Sequence, residues 1–181
     1  MADWYQIARR IRVPLGFAFA IFYFWQAHPT WGSLVLGIIV ALAGLGIRGV
    51  ASGHLQKNEQ LATSGPYAYV RNPLYLGSVI LGIGFAVAAR SWWIVLGMVA
   101  LFSAIYLPVI VSEERFLRAN FPEFQEYALR VPRLIPRLRA YNSTAQGLFS
   151  RELYLKHREY NAVLGTIGVV LVLLAKLWFA R

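Results

Sequence analysis

Residues 92–112 read WWIVLGMVALFSAIYLPVIVS and contain no charged side chain. A helix needs about 20 mostly apolar residues to cross the hydrocarbon core of a membrane, and this stretch reaches that length without any flanking residues. Further apolar stretches occupy residues 13–26, 33–47, 74–89 and 162–180. The stretch at 162–180 is long enough without its flanking residues, whereas the first three reach a spanning length when flanking residues join the helix, from Trp4 in the first and up to Ser52 in the second. We predict a single domain over residues 1–181, an all-α, polytopic transmembrane helix bundle of about five spans.

The composition excludes an ordinary soluble domain. Hydrophobic residues make up 58% of the chain and charged residues 14%, whereas soluble domains are about one-quarter charged. The formal net charge of +10 comes from basic clusters between apolar stretches, so we expect no nucleic-acid partner. The chain has no cysteine, which excludes disulfides and thiolate metal sites.

The basic residues also predict the orientation. They lie before the first span (Arg9, Arg10, Arg12), in the loop after the second (Arg48, Lys57, Arg71), and repeatedly after the fourth. The link between the third and fourth spans contains a single basic residue, Arg90. Cytoplasmic loops are enriched in Lys and Arg, so we expect the N-terminus and both long loops in the cytoplasm and Arg181 outside. The membrane would be the inner membrane of a bacterium or the endoplasmic reticulum of a eukaryote.

Small residues in the spans have two interpretations. Ser33, Gly37 and Ala41 repeat at four-residue spacing, which favours close helix packing in lipid. Gly82 and Gly84 either pack in the same way or let a flat ligand approach bare backbone. Residues 147–160 mix apolar and basic side chains, as in an interfacial helix that Ser150 caps.

Two loop stretches carry the candidate chemistry. In residues 63–77, TSGPYAYVRNPLYLG, Pro73 can begin a helix with Asn72 as its cap, and Arg71 stands beside that positive helix end. Together they suit a carboxylate, while Tyr67 and Tyr75 offer aromatic faces to a sulfonium or ammonium group. The alternative is a membrane-interface loop with a snorkelling arginine and interfacial tyrosines.

The second stretch is residues 113–136, EERFLRANFPEFQEYALRVPRLIP. Glu113 and Glu114 directly follow the uncharged span, and carboxylates at a membrane boundary are functional candidates. The alternative is a surface ion pair of Glu114 with Arg118, four residues on. No metal-ligand spacing is visible, and His54 is either a solvated loop residue or a neighbour of the motifs.

The two stretches in this order resemble the signature of isoprenylcysteine carboxyl methyltransferases and related phospholipid methyltransferases. The resemblance covers residues 54–139, which leaves the interfacial helix and fifth span, residues 140–181, as an added element. It implies a cytoplasmic segment that binds S-adenosylmethionine, and no metal. Two departures are Asn72 in place of the usual histidine and Phe124 where a tyrosine is common.

The resemblance also implies roles for individual residues. It assigns cofactor binding to Tyr67, Arg71, Asn72, Tyr75, Gly77, Gly82, Gly84, Glu113, Glu114, Tyr127 and Arg133. It assigns direct roles in the reaction to Arg71, Glu114 and Arg130.

The predicted reaction is methyl transfer from S-adenosylmethionine to a lipidic or prenylated acceptor that enters from the membrane lipids. A carboxylate acceptor of the isoprenylcysteine type is already ionised at neutral pH and needs no base. An amine acceptor, as in a phospholipid N-methyltransferase, requires one. The scarcity of histidine favours the carboxylate and O-methylation. The remaining alternative is a transporter or membrane scaffold without enzymatic activity.

Overall fold

The computed structural model describes residues 4–56, 59–141 and 147–179, without the side chains of residues 4–10, 12 and 13. Every predicted apolar stretch is helical over the residues described. The long helices are α1 (Trp4–Gln26), α2 (Trp31–Ser52), α3 (Pro73–Ala89), α4 (Trp92–Leu101) continuing into α5 (Leu107–Asn120), and α8 (Tyr160–Phe179); α6 (Phe124–Arg130) and α7 (Arg151–Lys156) are short. The predicted helical membrane bundle is confirmed. Lys57, Arg181 and the side chains of Arg9, Arg10 and Arg12 lie outside the described residues.

Three of the described helices are long and apolar enough to cross a membrane: α2, the continuous helix Trp92–Asn120, and α8. Helix α3 is apolar throughout but has 17 residues, which is the lower limit for a span. Helix α1 has 23 residues and contains three arginines in its first half. The count of five crossings therefore stays a prediction.

Helices α4 and α5 are joined by a π-helical turn at Phe102–Tyr106. Its cause is Pro108, which has no N–H to donate and whose ring conflicts with the carbonyl of Ala104 four residues earlier. The turn relieves this conflict without ending the helix. The helix runs on to Asn120, past the uncharged stretch that ends at residue 112, because polar residues at the membrane surface can continue a helix that apolar ones began.

Helices α2 and α3 form the closest packed pair of the bundle. A Cβ atom added at Gly84 would lie 2.6 Å from the backbone nitrogen of Ala41, and one added at Gly44 would lie 2.7 Å from the carbonyl oxygen of Gly77. Only glycine permits such an approach of two backbones. The small-residue face predicted on α2 is confirmed, and Gly37 contributes to the same contact.

Lys176 is the single charged residue in the predicted last span. It stabilises the end of the bundle where α1 ends. Its ammonium group donates to the carbonyl oxygens of Phe24 (2.7 Å) and Trp25 (3.3 Å) at the C-terminus of α1. These carbonyls have no partner within their own helix and carry its negative dipole end, so a cation is favourable there. The ends of α2 and α5 and the starts of α3 and α8 then face the other side of the bundle.

Candidate functional site

The two predicted motifs meet along their backbones. The amide of Arg71 donates to the carbonyl oxygen of Pro132 (2.9 Å), and the amides of Arg137 and Tyr141 donate to the carbonyl oxygens of Tyr69 (3.0 Å) and Ala68 (2.9 Å). The two segments are antiparallel, because the partner's residue number rises from 132 to 141 as the number in the first segment falls from 71 to 68. Residues separated by 61 to 73 positions in sequence are therefore held side by side at the start of α3.

Glu114 is the centre of the site. Its side chain is buried, and its carboxylate accepts from Arg133 Nε at 3.1 Å and from the terminal nitrogen Nη2 at 2.6 Å. Asn72 Nδ2 donates to Glu114 Oε1 at 3.2 Å, and Arg71 Nε lies 3.6 Å from the same oxygen. Hydrogen bonding to Glu114 raises the pKa of the Arg133 guanidinium, so this guanidinium stays ionised. The alternative pairing of Glu114 with Arg118 is not found.

Asn72 does not cap α3 with its side chain, contrary to the prediction. It occupies the N-cap position, but no side-chain cap bond forms there, and its amide donates to Glu114 and to the carbonyl oxygen of Arg133 instead. The buried carboxylate is the stronger acceptor, because a charged partner roughly doubles the strength of a hydrogen bond. The start of α3 therefore keeps its backbone N–H groups free of a side-chain cap.

Arg71 is buried with an unsatisfied donor. Its side chain is 13% exposed, and among the described residues its Nε is the one buried side-chain nitrogen or oxygen without a hydrogen-bond partner. Its guanidinium carbon lies 6.0 Å from the ring centre of Phe124, in cation–π range. The acceptor within ion-pair range of this Nε is Glu114 Oε1, at 3.6 Å, just beyond hydrogen-bond distance. A buried donor without a hydrogen bond is costly, so the Arg71 guanidinium favours an anionic or carbonyl partner.

Glu113, the neighbour of Glu114 on α5, makes a separate polar contact with α3. Tyr75 donates its hydroxyl to Glu113 Oε2 at 3.1 Å, and the Tyr75 ring packs edge-on against Tyr106 at 5.8 Å between centroids. Tyr106 in turn stacks on Phe102. Two rings of the π-helical turn, Phe102 and Tyr106, thus form with Tyr75 a continuous aromatic surface between the apolar span and the glutamate pair.

Tyr67 and Tyr127 form the buried floor beside Arg71. Tyr127 donates its hydroxyl to the carbonyl oxygen of Tyr67 at 2.7 Å. Burial raises the pKa of both phenols far above their usual value, with Glu113 and Glu159 adding to the effect at Tyr67. Both hydroxyls therefore keep their protons over the physiological range and act as donors or neutral dipoles.

Other predicted site residues lie outside this cluster. Arg130 forms an exposed ion pair with Glu126 at 2.9 Å. Gly77 and Gly84 lie in the close contact of α2 with α3, and Gly82 lies against Met98. For Gly77 and Gly84 the structure gives helix packing as the reason for a missing side chain, whereas a Cβ atom at Gly82 would make only an ordinary contact with Met98.

A second buried ion pair was not anticipated from the sequence. Arg48, which we had assigned to a loop, lies within α2, and its guanidinium binds both carboxylate oxygens of Glu159 at 2.9 and 3.0 Å. It also donates to the hydroxyl of Ser78 and to the carbonyl oxygen of Leu74. The sequence signal was Arg48 itself, a charge within reach of an apolar helix that requires a partner.

A cavity of about 370 Å³ opens next to the site. Its polar lining comes from His54, Gln56, Gln60, Thr63 and Ser64. Leu61 also lines it and packs on the cluster of Phe124, Tyr127 and Val131, the same cluster that lies under Arg71. The cavity walls are neutral and hydrogen-bonding, which suits a nucleoside better than an ion.

The described residues contain no group of three or more His, Cys, Asp or Glu side chains that could hold a metal ion. His54 makes a local contact, with its Nδ1 2.8 Å from the carbonyl oxygen of Val50. The polar chemistry of this part of the chain therefore centres on arginine, carboxylate and phenol groups.

Comparison with known proteins identifies the family. Residues 31–123 match the family model described as phospholipid methyltransferase. The matched region includes α2, the first motif and both glutamates, and it ends before Tyr127, Arg130 and Arg133.

Two curated relatives are similar over most of the chain. The cobalt-zinc-cadmium resistance protein CzcN of Cupriavidus metallidurans is 35% identical over 139 residues, which cover 72% of this chain and 63% of the relative. The nickel-cobalt-cadmium resistance protein NccN of Alcaligenes xylosoxydans xylosoxydans is 31% identical over 140 residues, which cover 70% and 66%. The chain thus spans just under two thirds of the length of these relatives. No solved structure matches it.

The match extends over half of the chain and includes Arg71, Asn72 and Glu114, which the fold brings together. The chain therefore belongs to the phospholipid methyltransferase family of integral membrane proteins.

Proposed function

We propose that this chain transfers a methyl group from S-adenosylmethionine to a lipid carboxylate at the membrane surface. The observation that carries the proposal is the convergence of Arg71, Asn72 and Arg133 on the buried Glu114, with a donor of Arg71 left unsatisfied. When bound, S-adenosylmethionine supplies an electrophilic methyl group on a sulfonium centre. The residues present fit such a group, because they offer a cationic donor, aromatic faces and a neutral polar cavity in neighbouring positions.

Different residues of the site suit different parts of S-adenosylmethionine. Arg71 can pair its unsatisfied donor with the carboxylate of an amino acid, and Tyr75 and Tyr106 can place ring faces near a sulfonium charge. The cavity beside His54 and Ser64 offers neutral donors and acceptors for a nucleoside. Glu114 organises the arginines, and burial strengthens its contacts by excluding water.

The same groups favour a carboxylate acceptor over an amine. A carboxylate is ionised at neutral pH and needs only alignment with the methyl group. An amine must lose a proton, and Glu114 is paired with two arginines while Tyr67 and Tyr127 keep their protons. None of these three groups serves as a base near neutral pH.

The test supplies vesicles containing the purified chain with S-adenosylmethionine labelled in the methyl group. S-farnesyl-N-acetylcysteine is the carboxylate probe, and phosphatidylethanolamine in the vesicles is the amine probe. We expect label in the lipid extract that alkali releases as methanol, because esters hydrolyse and N-methyl groups do not. Absence of S-adenosylmethionine binding in calorimetry refutes the proposal as a whole.

Phospholipid N-methylation is the second candidate, favoured by the description of the matched family model. It predicts alkali-stable label in phosphatidylethanolamine. Glu113 would then be the candidate base, since it lies beside Glu114 and accepts from Tyr75. The substitution Glu113→Gln should abolish this reaction and leave S-adenosylmethionine binding measurable.

A role in metal resistance without methyl transfer is the third candidate, because both relatives are named as metal resistance proteins. This candidate includes the transporter or membrane scaffold considered in the sequence analysis. Calorimetric titration of the purified chain with Co²⁺, Ni²⁺ or Cd²⁺ tests it directly. Tight metal binding without S-adenosylmethionine binding would replace the methyltransferase proposal.

We also propose that the site faces the cytoplasm, where S-adenosylmethionine is made available. The support is the concentration of arginine at the end of the bundle that carries the site. A reporter fused after residue 181 should then report the opposite side, if five helices cross. A cytoplasmic signal would refute this arrangement.

A further inference from the structure

Residues 129–139, which we call the arm, combine exposed apolar and basic side chains. Leu129, Ile135 and Leu138 are 88%, 79% and 99% exposed, respectively. The same eleven positions carry four arginines (Arg130, Arg133, Arg137, Arg139) and no acidic residue. Large apolar side chains are not normally left in water in this number within one short segment, so their surroundings need an explanation.

The arm lies at the level of the membrane boundary. Arg133 from the arm contacts Glu114 at 2.6 Å, and the helix from Trp92 to Asn120 fixes the height of Glu114. At 1.5 Å per residue, Glu114 lies about 33 Å along the helix from Trp92. The hydrocarbon core is about 30 Å thick, so with Trp92 at one interface Glu114 lies at the other.

From these observations we infer that the arm inserts its leucine and isoleucine side chains into an anionic lipid leaflet and that the lipid thereby holds Arg133 on Glu114. Interfacial segments use this combination of apolar anchors and cationic side chains. Each arginine near an anionic surface strengthens association by about fivefold. The occupant is the head-group region of the chain's own membrane, selected by the charge of the arm.

The coupling to the site follows from the backbone contacts of the arm. Its Pro132 carbonyl oxygen accepts from the Arg71 amide, and its Arg137 amide donates to the Tyr69 carbonyl oxygen. Anchoring the arm therefore also anchors the loop that carries Arg71 and Asn72. The consequence for S-adenosylmethionine affinity rests on the proposed function, whereas the insertion itself does not.

The insertion is tested in the whole chain, which has no cysteine of its own. The variant Leu138→Cys is labelled with an environment-sensitive nitrobenzoxadiazole dye and reconstituted in vesicles of phosphatidylcholine, with or without 30 to 40 mol% phosphatidylglycerol (about one-third anionic, enough for a strong surface potential). We expect quenching by shallow spin-labelled lipid and protection from an uncharged aqueous quencher, which the surface charge does not repel, both stronger with phosphatidylglycerol and weaker at high salt. Equal access of the uncharged quencher in both vesicle types and in detergent refutes insertion.

The coupling is tested by the affinity for S-adenosylmethionine in the same two vesicle types. We expect binding at least fivefold tighter with phosphatidylglycerol, and this gain should fall by about fivefold in Arg139→Gln. Arg90→Gln is the matched control, since Arg90 is an exposed arginine at the other end of the bundle. It should keep the full gain.

The outcomes separate the two proposals. Dye insertion with unchanged S-adenosylmethionine affinity between the vesicle types refutes the coupling and keeps the insertion. No S-adenosylmethionine binding in any lipid refutes the proposed function, while the dye measurement still decides insertion. Loss of the lipid response in Arg90→Gln as well refutes a specific role of the arm.

Discussion

Replacing Glu114 with glutamine removes one negative charge from the centre of the site and changes little else in shape. The carboxylate is 6% exposed and holds Arg133 by short hydrogen bonds, with Arg71 and Asn72 on its other side. The glutamine amide can satisfy at most part of this network. We therefore expect both the fold and S-adenosylmethionine binding to weaken.

The structure sets the size of each effect. Removing one partner of a buried ion pair costs about 3–5 kcal/mol, and Arg133 can turn into water because its side chain is 44% exposed. We expect the lower end, about 3 kcal/mol, in the free energy of unfolding. Three side chains lose their anchor, and each immobilised side chain is worth about 0.5–1.5 kcal/mol. The sum is about 1.5–4.5 kcal/mol, so binding should weaken by about tenfold to two-thousandfold.

The assay is calorimetric titration of S-adenosylmethionine into vesicles with the native chain or Glu114→Gln, together with thermal unfolding of both. Glu126→Gln is the matched control, since it removes the carboxylate from the exposed pair with Arg130. Exposed pairs contribute about 0–1 kcal/mol, so the control should behave like the native chain.

Native affinity in Glu114→Gln would refute the claim that Glu114 organises the binding site. Tighter binding would also refute it, because it would mean that Glu114 competes with the ligand for Arg71. A fall in stability with unchanged affinity would assign Glu114 to the fold alone.

Three further changes test other contacts. Glu159→Gln should lower thermal stability, because its arginine partner stays buried, whereas Glu59→Gln in an exposed pair should not. Gly77→Ala should cost about 1–3 kcal/mol in denaturant unfolding because its Cβ meets the neighbouring helix, whereas Gly82→Ala meets only a flexible side chain and should be tolerated. Burial raises the pKa of Tyr127, so the folded state holds this proton above the usual value of 10; stability should fall as pH rises beyond about 10, and less so in Tyr127→Phe.

Local patterns predicted much of the bundle and the motifs. The apolar stretches were long enough to predict each long helix, since the length of a span is a property of the chain alone. The glutamate pair and Arg71 were singled out because charge at a membrane boundary is costly without a partner.

The partners of the charged groups could not be predicted in the same way. From spacing, Glu114 could pair with Arg118 on its own helix, yet it pairs with Arg133 and Arg71 from two other segments. Arg48 was assigned to a loop, and its partner Glu159 lies 111 positions away. Such choices depend on which segments the fold brings to one level of the membrane.

The sequence by itself determined that this chain forms apolar helices with basic, motif-bearing connections, because helix length, hydrophobicity and charge act locally. The tertiary structure decided that Glu114 is buried between two arginines, that Asn72 serves this carboxylate instead of the helix end, and that Gly77 and Gly84 serve helix packing. A buried charge takes the partner that three-dimensional packing places within a few ångströms, and distance along the chain does not fix that placement.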